Sequence, residues 1–140
     1  LVTQFVAFPG TLLINKLAEH KNTEFGILFC LIIYLLITYL SYNLTSFIEF
    51  FAIAILIGFV QGGIQALSRS YYSTLVPKGR DCEYFGIYNM LGKFAALVGP
   101  IIVGLITYFS GSTRIGILSL SIFFIIGIFL FLKHKKLKYL

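Results

Sequence analysis

Residues 65–81 read QALSRSYYSTLVPKGRD, and this polar, basic block separates two long, glycine-rich apolar runs. The run before the block is FFAIAILIGFVQGGI, residues 50–64, and the run after it is FAALVGPIIVGLITYF, residues 94–109. Two apolar runs joined by a short basic stretch are typical of two membrane-spanning helices connected by a loop outside the bilayer. The block therefore predicts a helical hairpin in a membrane.

The composition indicates that lipid surrounds most of the chain. Apolar residues make up 59% of the 140 residues, and charged residues make up only 11%. A soluble domain carries roughly 25% charged residues. So few charges could not cover a water-facing surface of this size, which excludes an ordinary soluble protein.

Four stretches are long and apolar enough to cross a bilayer, which takes about 20 mostly apolar residues. They lie at about residues 25–42, 47–67, 84–109 and 115–132. Residues 1–17 predict most of a further spanning helix, cut at its start, and residues 133–140 predict a tail. Because lipid offers the backbone no hydrogen-bond partners, each span should be helical. We expect an all-α membrane protein, with no signal peptide, that forms the C-terminal part of a longer chain.

The positive charges predict the orientation of these helices. Nine of the eleven Lys and Arg residues lie on one side, around residues 16–21, in residues 69–80 and in the C-terminal tail. The opposite side has the turns 41–46 and 110–114, with Arg114 alone. This bias places the polar block and the C-terminus in the cytoplasm. The net charge of +6 thus reflects membrane topology and contact with anionic lipid, and we expect no nucleic-acid partner.

No constellation of residues in the sequence predicts an enzyme, a cofactor or a metal site. The sequence has no histidine cluster, no pair of catalytic carboxylates and no nucleophile beside a base. Cys30 and Cys82 lack the partners and the spacing of a zinc site or a disulfide framework. A membrane-embedded enzyme is the least favoured interpretation.

Polar side chains within the predicted spans are candidates for a solute pathway, because such groups are costly in lipid and normally face a bundle interior or an aqueous cavity. Lys93 lies about nine residues from the predicted start of its helix, roughly 13 Å deep at 1.5 Å per residue. Asn89 lies one turn earlier. Gln61 and Gln65 of the preceding helix have matching depths. The alternative for these groups is hydrogen bonding between helices that holds the bundle together.

Glycines in the same two helices predict close packing and a bend. Gly58 and Gly62 form a small-xxx-small pattern, which lets two helix backbones approach closely. Gly92 and Gly99 belong to the next helix, where Pro100 removes one helix hydrogen bond and should produce a kink. Helices that move need both features, although close packing alone also explains the glycines.

The stretch at residues 61–100, QGGIQALSRSYYSTLVPKGRDCEYFGIYNMLGKFAALVGP, is similar to the C-terminal half of the vacuole-effluxer-like family of the major facilitator superfamily. Members include a fungal vacuolar amino-acid effluxer and many bacterial permeases. The matching pieces are Gln-Gly-Gly at 61–63, Ser-Arg-Ser at 68–70, Pro-Lys-Gly at 77–79, Phe-Gly at 85–86, Asn89, Gly-Lys at 92–93 and Gly-Pro at 99–100. The resemblance continues to about residue 120.

The resemblance implies a multi-pass secondary transporter, a permease or exporter of small solutes that works by alternating access. Amino acids are the solute class that it suggests, and a bacterial inner or plasma membrane is the location. Superfamily members bind their solute between two six-helix halves. The chain would therefore need an N-terminal half as its partner, beside the solute and the lipid bilayer.

By the same resemblance, the polar block is the cytoplasmic loop between the tenth and eleventh helices. Arg69 could pair with Asp81 or Glu83 in a gate that breaks as the halves rock, while Lys78 and Arg80 hold the loop inside. Asp81 and Glu83 also interact favourably with the positive end of the dipole of the following helix. The simpler alternative is a loop that only sets topology.

Two other functions stay open at this point. A structural or assembly membrane protein without transport would use its glycine-rich faces as contacts, and a remnant of a split transporter gene would make no working product. Sequence upstream of Leu1 would separate both from a transporter. Within a transporter, Lys93 would either bind a solute carboxylate or serve as a fixed counter-charge.

Overall fold

Five α-helices make up the part of the chain that the computed structural model describes, residues 2–138. They are α1 (Val2–Lys21), α2 (Thr23–Tyr42), α3 (Phe47–Ser73), α4 (Asp81–Ser110) and α5 (Thr113–Lys138). No strand occurs within this range. The helices α2 to α5 are long and apolar enough to cross a membrane. The expected all-α membrane protein is confirmed.

Two helices run further into the polar block than predicted. α3 continues past residue 67 to Ser73, and α4 begins at Asp81 rather than at residue 84, so residues 74–80 alone connect them. Arg69, predicted in the loop, therefore lies on α3. The extension is favourable because Ala, Leu and Arg near residue 67 are good helix formers, and acidic residues in the first turn of α4 complement its dipole.

α1 and α5 also extend beyond their predicted ends. Residues 16–21, predicted as part of a connection, form the last turns of α1, and only Asn22 separates α1 from α2. The predicted tail is helical up to Lys138. Cations are favourable at a helix C-terminus. In addition, Lys135 Nζ lies 3.5 Å from a carboxylate oxygen of the buried Glu24 on α2, which fixes this part of α5 to the bundle.

The connections lie at two opposite ends of an antiparallel bundle. The charged end consists of the α1–α2 and α3–α4 connections and the C-terminus of α5. At the other end, the Arg114 guanidinium donates a hydrogen bond of 2.9 Å to the carbonyl oxygen of Leu44 and so links the two short turns. Gly111 ends α4 with a φ of 67°, a left-handed conformation that glycine adopts without strain.

Glycines form the tight contact between α1 and α3. A Cβ atom at Gly58 would lie 2.5 Å from the carbonyl oxygen of Thr3, and one at Gly63 would lie 2.6 Å from Ile14 Cδ1. A Cβ atom at Gly62 would collide with the Thr11 hydroxyl and lie 2.8 Å from the carbonyl oxygen of Ala7. Gly10 of α1 lies equally close to the α3 backbone at Phe59, so glycines of both helices permit the close approach.

The core lies among α1, α2 and α3, and it leaves α4 at the edge. α2 packs against α1, α3 and α5, and α5 in turn packs against α4. The buried core side chains are Ile14, Ala18, Ile27, Cys30, Val60 and Leu67. Within the described residues, α4 has no buried residue and makes no extended contact with α3. A gap therefore separates the two helices that the sequence predicts as a hairpin.

The glycines of α4 have surroundings unlike those of α3. A Cβ atom at Gly92, Gly99 or Gly104 would meet nothing within 4 Å. The helix is continuous through Pro100, and the kink expected there stays a prediction. The glycine face of α4 is therefore open in the described part of the chain.

We expect Gly58→Ala to lower the stability of the full-length protein by about 1–3 kcal/mol, because the new methyl group overpacks the α1–α3 contact. Thermal unfolding in detergent measures the effect. Gly104→Ala is the matched control, since it is a helical glycine with nothing within 4 Å and should leave the melting temperature unchanged or slightly raised. Equal melting temperatures for the two variants would contradict the close contact.

Candidate functional site between the third and fourth helices

A cavity of about 700 Å³ occupies the gap between α3 and α4. Its walls are Gly62, Gln65, Ala66 and Arg69 of α3, and Tyr88, Asn89, Gly92, Lys93 and Ala96 of α4. On α3 these residues have the i, i+3, i+4, i+7 spacing of one helix face. Glycine and alanine leave space in the cavity because their side chains are small, while the longer side chains supply polar groups. The volume suits a small molecule.

The cavity brings together three of the four predicted pathway residues. Gln65, Asn89 and Lys93 line it, whereas Gln61 does not. Gln61 is exposed and lies one turn from Gln65 on the same side of α3, further from the α3–α4 loop than any α3 residue of the cavity wall. A pathway role for Gln61 stays a prediction.

Arg69 lies in the cavity wall. Its Nη2 donates a hydrogen bond of 3.3 Å to Oδ1 of Asn89 on the facing helix. In the described part of the chain, no ion pair within 4 Å joins Arg69 to Asp81 or Glu83. The guanidinium is thus directed across the cavity in this conformation.

The other gate candidates lie at the charged end. Lys78 and Arg80 are exposed in the α3–α4 connection, and Asp81 and Glu83 are exposed in the first turn of α4. Among the residues described, none of these four has an ion-pair partner within 4 Å. Asp81 and Glu83 complement the positive end of the α4 dipole there. Their part in a gate stays a prediction.

An aromatic cluster joins α3 and α4 between the cavity and the charged end. The Tyr72 ring centroid lies 4.9 Å from that of Tyr88 and 5.6 Å from that of Phe85. The Tyr72 hydroxyl also donates a hydrogen bond of 3.1 Å to the carbonyl oxygen of Tyr84. Each aromatic pair contributes roughly 0.5–1.5 kcal/mol beyond burial. This cluster joins the two helices on the loop side of the cavity, and Tyr88 belongs to both the cluster and the cavity wall.

The sequence analysis did not select Tyr72 or Phe85, although the sequence carries a signal for them. The pair YY at residues 71–72 precedes the loop and the pair YF at residues 84–85 follows it. In an antiparallel hairpin, positions equally distant from the loop lie at the same depth. Matching aromatic pairs around a short loop therefore predict a contact between the two helices.

The side chains of the cavity suit binding rather than bond-making chemistry. Arg69 and Lys93 are cations, and Gln65, Asn89 and Tyr88 provide amide and hydroxyl groups. No group of three or more His, Cys, Asp or Glu residues able to hold a metal ion occurs in residues 2–138. The arrangement offers hydrogen-bond donors and positive charge to a molecule in the gap.

Comparison with known proteins identifies the family. Residues 1–136 match the family model described as "Vacuole effluxer Atg22 like". The chain belongs to the Atg22-like family. This confirms the resemblance seen in residues 61–100, and the matched range contains all the cavity residues of the Atg22-like chain.

Relatives from bacteria and fungi share this part of the sequence. The "Uncharacterized MFS-type transporter YxiO" of Bacillus subtilis (strain 168) is 39% identical over 127 residues, 91% of the chain and 30% of the relative. "Autophagy-related protein 22" of Vanderwaltozyma polyspora is 38% identical over 66 residues, 47% of the chain and 13% of the relative. That of Pichia angusta is 39% identical over 66 residues, 47% of the chain and 12% of the relative. The Atg22-like chain thus spans less than a third of the length of these relatives, and no solved structure matches it.

Proposed function

We propose that this Atg22-like chain is part of a secondary transporter that moves small solutes by alternating access. The observation that carries the proposal is the cavity lined by Gln65, Arg69, Asn89 and Lys93 between two helices long enough to cross a membrane. Polar groups within such helices normally face a bundle interior or a water-filled pathway. The match to a family described as vacuole effluxers and the similarity to YxiO, named as an MFS-type transporter, support the same function.

We further propose that additional helices of the same protein, its N-terminal half, complete the solute site. The exposed face of α4 and the 30% coverage of YxiO support this arrangement. In the superfamily, the solute lies between two halves that rock about it. The lipid bilayer would surround the remaining apolar surface, including exposed side chains of α5 such as Phe129 and Leu130.

Amino acids are the solute class that the family resemblance suggests, and they are the first solutes to test. In proteoliposomes of the full-length protein, Lys93→Ala should lower the flux of particular amino acids about tenfold or more, because it removes a charged contact to the solute. Flux of a mixed amino-acid panel, with membrane insertion checked for each variant, is the measurement. Lys133→Ala is the matched control, since Lys133 is an exposed cation on α5 outside the cavity.

Equal flux for Lys93→Ala and wild type would reduce Lys93 to a packing or topology role. Absence of flux for every amino acid in the wild type would leave the family membership standing and the amino-acid proposal without support.

We also propose that the charged end of the bundle faces the cytoplasm of a bacterial cell, with the C-terminus inside. The support is that nine of the eleven Lys and Arg residues lie in the connections and the C-terminal segment of that end. Cytoplasmic connections of membrane proteins carry such an excess of positive charge.

Cys82, exposed at the start of α4, tests this orientation, because Cys30 is buried. A membrane-impermeant maleimide should label Cys82 in inverted vesicles and leave it unlabelled in intact cells. Asn43→Cys in a Cys82→Ser background should give the reverse pattern, since Asn43 is exposed at the opposite end. Labelling of Cys82 in intact cells would show that the orientation is wrong.

A further inference from the structure

We propose that Arg69 and Lys93 form a two-cation site that binds a carboxylate group of the solute. The inference rests on the proposed transport function and adds the chemical class of the solute. It also assigns to Arg69 a binding role in place of the gate role that its position in the sequence suggests. Three observations support it: the charge balance of the cavity, the direction of Arg69 and the neutral donors beside it.

Within the described chain, no acidic residue of the cavity wall compensates its two positive charges. The sequence has five acidic residues, and none of them lines the cavity. Glu24 pairs with Lys135 at 3.5 Å. Glu49 accepts hydrogen bonds from two backbone N–H groups at 3.0 and 3.2 Å and thereby caps the start of α3. The remaining three are exposed at the charged end: Glu19, Asp81 and Glu83.

Two cations without a counter-charge repel each other in a cavity between spanning helices, because the surrounding lipid and protein screen their charges less than bulk water does. At 1.5 Å per residue, Lys93 lies roughly 15 Å along α4 from Glu83, the nearest acid of that helix. An anionic group on the solute would supply the missing charge. A molecule of the same shape without that charge would not.

Arg69 is oriented for this role by its contact with Asn89. The bond of 3.3 Å to Asn89 Oδ1 directs the guanidinium toward α4, one helical turn from Lys93. That bond uses one of the five N–H donors of the guanidinium. A planar guanidinium binds a carboxylate through two parallel hydrogen bonds, and an ammonium group adds a compact point charge. Arg69 would orient the carboxylate, and Lys93 would neutralise it.

Neutral donors complete the lining. The side-chain amides of Gln65 and Asn89 and the hydroxyl of Tyr88 can donate to further oxygen atoms of the solute. A carboxylate is common to zwitterionic amino acids and to organic acids. The cavity lining therefore indicates which chemical group binds, but not which solute carries it. The test below separates these two sources.

The experiment compares acids with their amides, which have nearly the same shape and lack the negative charge. Full-length protein in detergent is melted with leucine or leucinamide, succinate or succinamide, and propionate or propionamide. A ligand that binds the folded state raises the melting temperature. We expect a rise with at least one acid and none with its amide. A rise with leucine alone identifies an amino-acid site, and a rise with succinate or propionate identifies an organic-acid site.

Variants locate the effect in the cavity. Arg69→Gln and Lys93→Gln should each weaken acid binding about tenfold or more, relative to the melting temperature of the same variant without ligand. Arg69→Lys should restore part of the binding, because it keeps the charge and loses the planar fork. Lys133→Gln, which changes an exposed cation outside the cavity, should bind as the wild type does.

Three results would overturn the inference: no shift with any of the three acids, equal shifts with acid and amide, or an unchanged shift in both Arg69→Gln and Lys93→Gln. The proposed transport function is tested separately. If an acid and its amide are transported at the same rate, the two-cation site is refuted and the transport function stands. If acids bind through Arg69 and Lys93 but no solute is transported, the transport function is refuted and the two-cation site stands.

Discussion

The close backbone contact between α1 and α3 determines where a cavity can form in this bundle. Gly58, Gly62 and Gly63 hold α3 against α1, and α2 packs onto both helices. α5 packs on α2, and α4 packs on α5, so α4 is attached to the core only through α5. The gap that remains between α3 and α4 is therefore a consequence of helix packing elsewhere. Gly62 takes part in both features, because it lies against α1 and also borders the cavity.

The two helices around the cavity are joined at one end and separate along the rest of their length. Near the loop, Tyr72 packs on Phe85 and Tyr88, and Arg69 bonds to Asn89. Deeper in the bundle, α4 presents glycine and alanine to open space. Alternating access requires one element to move against a rigid one. In the proposed transporter, movement of α4 against α1, α2 and α3 would break these contacts.

Sequence reasoning recovered the features that depend on chemistry and on helix length. The low content of charge predicted lipid as the solvent, and apolar runs of about 20 residues predicted the spanning helices. Lys93, Asn89 and Gln65 converge as expected, because equal distances from a connecting loop give equal depths in an antiparallel pair. The family resemblance was confirmed through the motifs of residues 61–100.

Features that depend on helix ends and tertiary contact were not recoverable from the sequence. Hydropathy indicates where the apolar part of a helix stops, but a helix can continue beyond that point. Arg69 was therefore predicted in a loop, although α3 continues to Ser73. Gln61 was selected by its depth, but it lies just beyond Gly62, where the α3 part of the cavity wall ends. The helical C-terminal segment is fixed by Lys135 and Glu24, which lie far apart in sequence. The gap itself follows from which helices pack together, a property of the whole bundle.

The central claim is that the space between α3 and α4 is a water-accessible pathway. Labelling of single cysteines in membranes containing the full-length protein, in a background with every native cysteine, including Cys30 and Cys82, replaced by serine, tests it most directly. Asn89→Cys lines the cavity, whereas Leu91→Cys lies two positions further along α4, outside the cavity lining. The account predicts that a hydrophilic maleimide reacts with Asn89→Cys and leaves Leu91→Cys unmodified. Equal reaction at both positions, or faster reaction at Leu91→Cys, would contradict it.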